Sequence, residues 1–492
     1  MAIGSFILPM GSGGSTPPSG NTWTRPTDWL TIPTPGNQEV IGLLAVYDDG
    51  ANYVAVQCQG AYTVDWGDGT TTNYATNINA SKQYTFSSID AGTTTSEGFR
   101  QVLVRITPQA GQNLTSVGFG IQNTTLAKNG FLVGWLDVDV RIPNGVLTFN
   151  GHTNVVKYGA LEKLTVRSVS SGALMGNLCN SMTNLKSVYI EPSITANTTN
   201  FSAMFGFCVS LEEAPFMNMN SATNTSNMFG SCFSLKVVPN YNLTSTTNVA
   251  GMFDTCNSLT TYPAFNMGTT TNSMFQNCTG LINAPTLNTS NVLDMTSMFS
   301  GCFGLTSVAL FDTIKVTNFT SMFLNCRNLE TIPLFNTIAG INFTSFLQGC
   351  GSITSVPLLN TPVATTMTNM FNGCGALMEL PALNTSNVTV VTQMLSNLVN
   401  LKQLPALSLP VCTTFTSWIS NIATITKSNI YGATRGHSYT GNSLSQANIV
   451  TIFTNLGTAS GAQTITVSGN PGYAGLTAGE RLIATNKGWT IA

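Results

Sequence analysis

The chain has 492 residues, 18 basic and 20 acidic side chains and a formal net charge of -2, and only 8% of its residues are charged, against about 25% in an average globular protein. A surface this poor in charge has no basic stripe to gather phosphates, which excludes nucleic acid and anionic membrane as main partners. No stretch reaches the ~18 continuous apolar residues of a membrane-crossing helix, and Met1 to Met10, without a basic residue and interrupted by Pro9, does not read as a secretory signal.

Residues 1–36 read as an extended N-terminal arm. Gly11 to Gly20 is Gly/Ser-rich with a Pro17-Pro18 pair, so it is pliable at first and extended after. Phe6, Ile7, Trp23 and Trp29 are the apolar residues able to anchor the arm to a larger assembly. The competing reading has the two tryptophans packing on the chain's own first domain.

From 37 to 110 the apolar residues alternate with period two, in Val40–Tyr47, Tyr53–Cys58, Ala61–Trp66 and Gln101–Ile106, which predicts a small β-sandwich. The segment Trp66-Gly67-Asp68-Gly69-Thr70, followed by Tyr84-Thr85-Phe86, resembles the PKD-type immunoglobulin-like module, which implies a spacer and interaction domain of surface proteins. The histidine common before that tyrosine is replaced by Lys82 and Gln83. Asp48, Asp49, Asp65 and Asp68 raise the thought of a calcium site, but Asp68 is better read as a turn residue bonding nearby amides.

Residues 111–177 carry degenerate coils, with strands expected at Asn113–Val117, Trp135–Val138, Val146–Phe149 and Leu161–Val166. Irregular first coils suit a cap on a stack of repeats. His152 in this stretch reads as a polar turn residue.

Residues 178–428 hold a 24-residue repeat, typified by Met322-Phe323-x-x-Cys326-x-x-Leu329-x-x-x-Pro333-x-x-Asn336. The spacing of Met, Cys and Leu at i, i+4 and i+7 predicts one face of a short helix in each coil. The segment from the Leu to the Pro predicts a short strand, paired in parallel with the next coil at about 4.8 Å. Asn218, Asn242, Asn266, Asn288, Asn336, Asn360 and Asn384, with Asp312 and Ser408 in the same column, are expected to be buried and to cap unpaired backbone groups. Such a unit cannot bury its apolar stripe alone, so the units must stack into a solenoid. The pattern Leu377-x-x-Leu380-Pro381-x-Leu383-Asn384, preceded by Met370-Phe371-x-x-Cys374, resembles the BspA-like leucine-rich repeats of bacterial surface antigens and phage-encoded proteins. That resemblance implies surface display and binding, with no shared catalytic residues.

Eight of the eleven cysteines fall on the repeat register and point one way into the core, so they read as buried free thiols, with disulfides or metal ligation the lesser alternatives. Residues 429–492 form a C-terminal cap: a helix begins near Ser443, a strand lies at Thr464–Val467, a second helix opens with Thr477-x-x-Glu480, and Gly488–Ile491 is a last strand. His437 reads as a loop residue.

The expected fold is therefore mainly β with short helices, a solenoid behind a small sandwich. No nucleophile motif, phosphate loop, dinucleotide fingerprint or metal motif appears, and the acids are scattered, so neither enzymatic activity nor a cofactor or metal is expected. The function expected is that of a phage virion protein, a capsid decoration, head fibre or tail-associated fibre made in the host cytoplasm. Its arm would hold capsid or tail proteins, and its rod, in many copies, would adhere to host-surface glycans or proteins. The alternatives are a bacterial cell-surface adhesin and a purely structural brace within the virion.

Overall fold

The computed structural model describes residues 23–48, 52–119, 134–149, 160–170, 175–260, 262 and 265–492. Its first eleven strands are β1 (Glu39–Val46), β2 (Tyr53–Gln59), β3 (Tyr62–Asp65), β4 (Thr71–Tyr74), β5 (Asn79–Gln83), β6 (Arg100–Pro108), β7 (Ser116–Gly118), β8 (Trp135–Arg141), β9 (Val146–Thr148), β10 (Lys163–Ser168) and β11 (Ser187–Ile190). Strands β4 and β5 escape the sequence pattern because their sequences, TTNY and NASKQ, are almost wholly polar.

One sheet runs in the order β11-β10-β8-β1-β6-β3-β4 and the other β5-β2-β7-β9. Pairing is antiparallel within residues 39–108 and becomes parallel at β8–β10 and at β7–β9. Both sheets thus pass without a break from the sandwich into the first coils. Tyr62, Trp66 and Val104 lie in the same apolar cluster as Leu164, Met204 and Cys208, so sandwich and solenoid share one core. In the Asp turn, Asp65 accepts from the Gly67 amide at 3.0 Å and Asp68 from the Thr70 amide at 3.1 Å. Lys82, at the position where the resemblance called for histidine, pairs with Asp68 and lies 5.7 Å from the Tyr84 ring centre.

The expected helix in each coil is absent, and a run of tight turns replaces it. In the coil of Met322, the amides of Met322, Leu324 and Cys326 bond the carbonyls of Phe319, Ser321 and Phe323, three residues back. The amides of Phe319, Ser321, Phe323 and Asn325 instead reach the next coil, at Asn342, Thr344, Phe346 and Gln348. The physical reason is two left-handed residues four positions apart in each coil: Ser321 has φ 55° and Asn325 φ 61°. A positive φ ends a right-handed helix and turns alternate amides along the rod axis. The same two columns are left-handed throughout, as at Asn227 and Ser231 or Gln393 and Asn397.

The expected strand ladder is correspondingly thin. It consists of single parallel bridges such as Glu213 with Val237 and Asn283 with Ser307, and of short pairs such as β12 (Phe265–Asn266) with β13 (Leu287–Asn288). A longer ladder of bridges runs four residues before each Met, from Asp294 through Asn318 and Asn342 to Thr366, Val390 and Thr414.

Inside the rod, equivalent side chains form columns. The phenylalanine after each Met stacks on its neighbour: Phe205, Phe229, Phe253, Phe275, Phe299 and Phe323 have centroid spacings of 5.4–5.8 Å and interplanar angles of 2–8°. Tyr241, Phe265 and Phe335, two residues after each Pro, are buried against this stack. The register cysteines form a thiol column. Cys326 Sγ donates to Phe299 O at 3.0 Å, and Cys232, Cys256, Cys278, Cys302, Cys350 and Cys374 repeat the bond from coil to coil at 3.0–3.1 Å. All eleven cysteines are buried free thiols, and burial pushes the Cys278 and Cys374 thiols up to about 12.

The asparagine column is exposed at Asn242, Asn288, Asp312, Asn336, Asn360 and Asn384 and half-buried at Asn218 and Ser408, not buried. Asn242, Asn336 and Asn384 each accept from the amide two residues on, holding a surface turn. The buried polar residue is the threonine that follows. Thr289, Thr313, Thr337, Thr361 and Thr385 donate to the main-chain carbonyl of the Asn-column residue in the next coil at 2.6–2.8 Å. A hydroxyl needs one such acceptor to lie buried at little cost, whereas a carboxamide needs up to about four partners.

After the short helix α1 (Pro192–Thr195) and the last regular pair, β14 (Gln403–Ser408) with β15 (Lys427–Tyr431), the rod closes with helices. Strands β16 (His437–Ser438), β17 (Gln463–Thr466) and β18 (Trp489–Ile491) pair in parallel, with α2 (Gln446–Asn455) and α3 (Ala478–Thr485) crossing between them. The capping box of Thr477 and Glu480 is present. His437 is a buried strand residue, not a loop residue: its ring lies 4.9–5.8 Å from Phe415, Trp418, Tyr439 and Trp489, and Nδ1 is 2.9 Å from Arg435 O.

Two outcomes follow from this packing. Iodoacetamide should leave all thiols of the native protein unmodified and should label all eleven after unfolding. Burial lowers His437 from its ordinary 6.5 to about 4. The unfolded chain therefore binds the extra proton between those values, and the contribution of His437 to stability should fall by about 3 kcal/mol from pH 7 to pH 4. Urea melts at the two pH values should show that loss, and His437→Gln should reduce it.

Candidate functional site

Of the residues singled out for anchoring, Phe6 and Ile7 lie outside the described residues. Trp23 and Trp29 are brought together, with ring centroids 6.1 Å apart. Trp29 is buried with Leu43, Ala45, Phe99 and Leu136, and Trp23, Leu30 and Ile32 pack against this cluster. The arm from Trp23 onward therefore covers the outer face of β8, β1 and β6, forming a second small apolar layer.

Polar bonds fix it there. Arg25 Nε meets Asp137 Oδ2 at 2.9 Å, and its other nitrogens donate to Leu30 O at 2.6 Å and Trp29 O at 3.2 Å. The side chain of Asp137 is only 2% exposed, with Lys163 Nζ 3.6 Å away on the solenoid side. Gln101 bridges the arm through Leu30 N at 2.8 Å and Asp28 O at 2.9 Å. Asp28 accepts from the Ser96 amide and hydroxyl, both at 2.8 Å, which holds its carboxyl below the usual range. Arg25 carries no periodic or motif signal, so only its chain position beside Trp23 hinted at this role.

The rod offers two repeated outer columns. Five residues before each Met stands a threonine ladder, in which Thr223, Thr247, Thr317, Thr365, Thr389 and Thr413 donate to the carbonyl of the preceding coil. Asn224, Asn248, Asn318 and Asn342 beside it accept from amides two residues on, so they satisfy turns. The position after the Pro column gives an apolar stripe: Leu310, Leu334 and Leu358 on three successive coils are 68%, 62% and 62% exposed. Among the described residues no cluster of three or more His, Cys, Asp or Glu could hold a metal ion, and no helix is long and apolar enough to cross a membrane.

The fold is a mainly β solenoid of stacked coils. A family model described as "Mycoplasma protein of unknown function, DUF285" matches residues 148–267 and again residues 265–358. Among solved structures, a leucine rich cell surface protein of Faecalibacterium prausnitzii is similar at 16% identity and a TM-score of 0.30, over 60% of this chain and 83% of that one. A leucine-rich repeat protein of Bacteroides ovatus is similar at 13% identity and a TM-score of 0.34, over 73% and 91%. The Toll–Spatzle complex of Drosophila is similar at 12% identity and a TM-score of 0.21, over 66% and 57%. No curated protein matches the chain.

Arg25→Ala would leave the Asp137 carboxylate buried beside a single, longer contact to Lys163, and should destabilise the N-terminal unit by about 3 kcal/mol. Urea denaturation followed by tryptophan fluorescence measures the loss.

Proposed function

We propose that this chain is a non-catalytic adhesive rod displayed on a surface, that the surface is a phage particle, and that the rod engages host-surface glycans or proteins. The observation that carries the reading is the outer face itself, where Thr, Asn and Leu recur at fixed columns from coil to coil. Such a face offers many equal, weak contacts rather than one strong site, and many copies would raise avidity. The PKD-like reading of residues 37–110 makes that unit the base of the rod, and its continuous sheets make the base stiff. Charged groups along the rod stand singly or in neighbour pairs such as Lys236 with Glu212 at 2.9 Å, which supports binding over catalysis.

Since Trp23 to Ile32 is engaged with the chain's own sheet, attachment to capsid or tail proteins is assigned to residues before Trp23. A bacterial cell-surface adhesin is the second reading. It uses the same rod and differs only in what holds the base.

Electron microscopy of purified particles that carry this chain, compared with a variant lacking residues 2–22, tests the placement. Regular projections that vanish with the deletion are expected. Protein found only on cell envelopes, or particle binding unchanged by the deletion, would overturn the virion placement and favour the adhesin.

A further inference from the structure

Where the arm meets the rod there is a groove of about 560 Å³ lined by Trp23 and Thr24 of the arm and by Lys186, Ser210, Glu212 and Ser234 of successive coils. Its volume lies within the range of about 300–1,000 Å³ usual for small-ligand sites. The wall holds one aromatic ring, one acid, one base and three hydroxyls, with no aliphatic side chain. Its two charges are each tied to an adjacent coil, Lys186 to Glu162 of the coil before at 3.0 Å and Glu212 to Lys236 of the coil after at 2.9 Å.

That composition selects a ligand class by elimination. An anion would meet Glu212 and Glu162, and a cation would meet Lys186 and Lys236. A purely apolar molecule would find a single ring and would strip water from five polar side chains. A neutral sugar ring fits both halves of the wall. Its C–H face stacks on an indole, and its hydroxyls, each donor and acceptor, match a carboxylate, an ammonium and serine hydroxyls. Serine recurs one residue before the Leu column, as at Ser210, Ser234 and Ser258, but among the described residues only the arm junction sets a tryptophan beside it.

We infer that this groove is a saccharide-binding site for a neutral oligosaccharide, with Trp23 as the stacking platform and Lys186, Glu212, Ser210 and Ser234 as hydrogen-bonding groups. The inference rests on the adhesive reading above and names the site through which it would act.

The test is an array of neutral oligosaccharides probed with the full chain, followed by fluorescence titration of the best binder, with lactose and maltotriose as starting probes. Three variants are compared: Trp23→Ala, Ser234→Arg, which fills the groove from a surface position, and Leu334→Ser on the exposed apolar stripe. The expected result is saturable binding that weakens about tenfold or more in both groove variants and is unchanged in Leu334→Ser. Ser234→Arg decides the matter if Trp23→Ala disturbs the arm. Glycan binding that survives Ser234→Arg overturns the groove and leaves the adhesive reading standing. No binding anywhere on the array overturns the groove and the glycan part of that reading together.

Discussion

The structure depends on a backbone constraint: two residues per coil, one before the Met position and one before the Cys position, are held at positive φ. Each such residue turns the chain sharply, so that successive amides face alternately into the coil and along the rod. Half of the turn amides are satisfied locally and half by the carbonyls of the next coil. Each inter-coil bond contributes only about 1 kcal/mol net, but together they fix the register of one coil on the next. Once the register is fixed, equal residues must lie above one another, and the ring stack, the thiol column and the buried threonine column follow.

The thiol column has a specific geometry. Phe229 O accepts the Cys232 amide from its own coil and the Cys256 thiol from the next, at 3.1 Å each. Cysteine supplies there a small apolar body with a weak donor in a place where a methylene would leave the carbonyl singly bonded. The two rod ends are finished differently. At the N-terminal side both sheets run into the antiparallel strands, and the arm seals the outer face. At the C-terminal side the tight turns give way to α2 and α3, with the His437 aromatic cage joining the last regular coil to the cap.

Much of this was legible in the sequence, because core columns in a solenoid are printed once per coil. Met, Cys, Leu and Pro gave period, phase and burial. Spacings of four and seven residues do not by themselves specify a helix, since a right-handed helix and a run of tight turns share them. The discriminating signal lay one residue upstream, in the run of Asn, Ser and Gly at Asn325, Gly349, Asn369 and Asn397. Regular recurrence of asparagine does not signify burial, because Asp312-Thr313 and Asn336-Thr337 place the buried group one residue later. The arm's contacts and the groove join residues 23–25 to residues 137–234, a separation that no local pattern encodes.

The most direct test of the positive-φ constraint replaces Asn325 and measures stability by equilibrium urea denaturation. Asn325→Gly should lie within about 0.5 kcal/mol of the parent, because glycine adopts positive φ freely. Asn325→Val should lose about 1–3 kcal/mol, because a β-branched residue is strained there. Equal stability of the Val and Gly variants would contradict the account, and a helix at this position would favour Val.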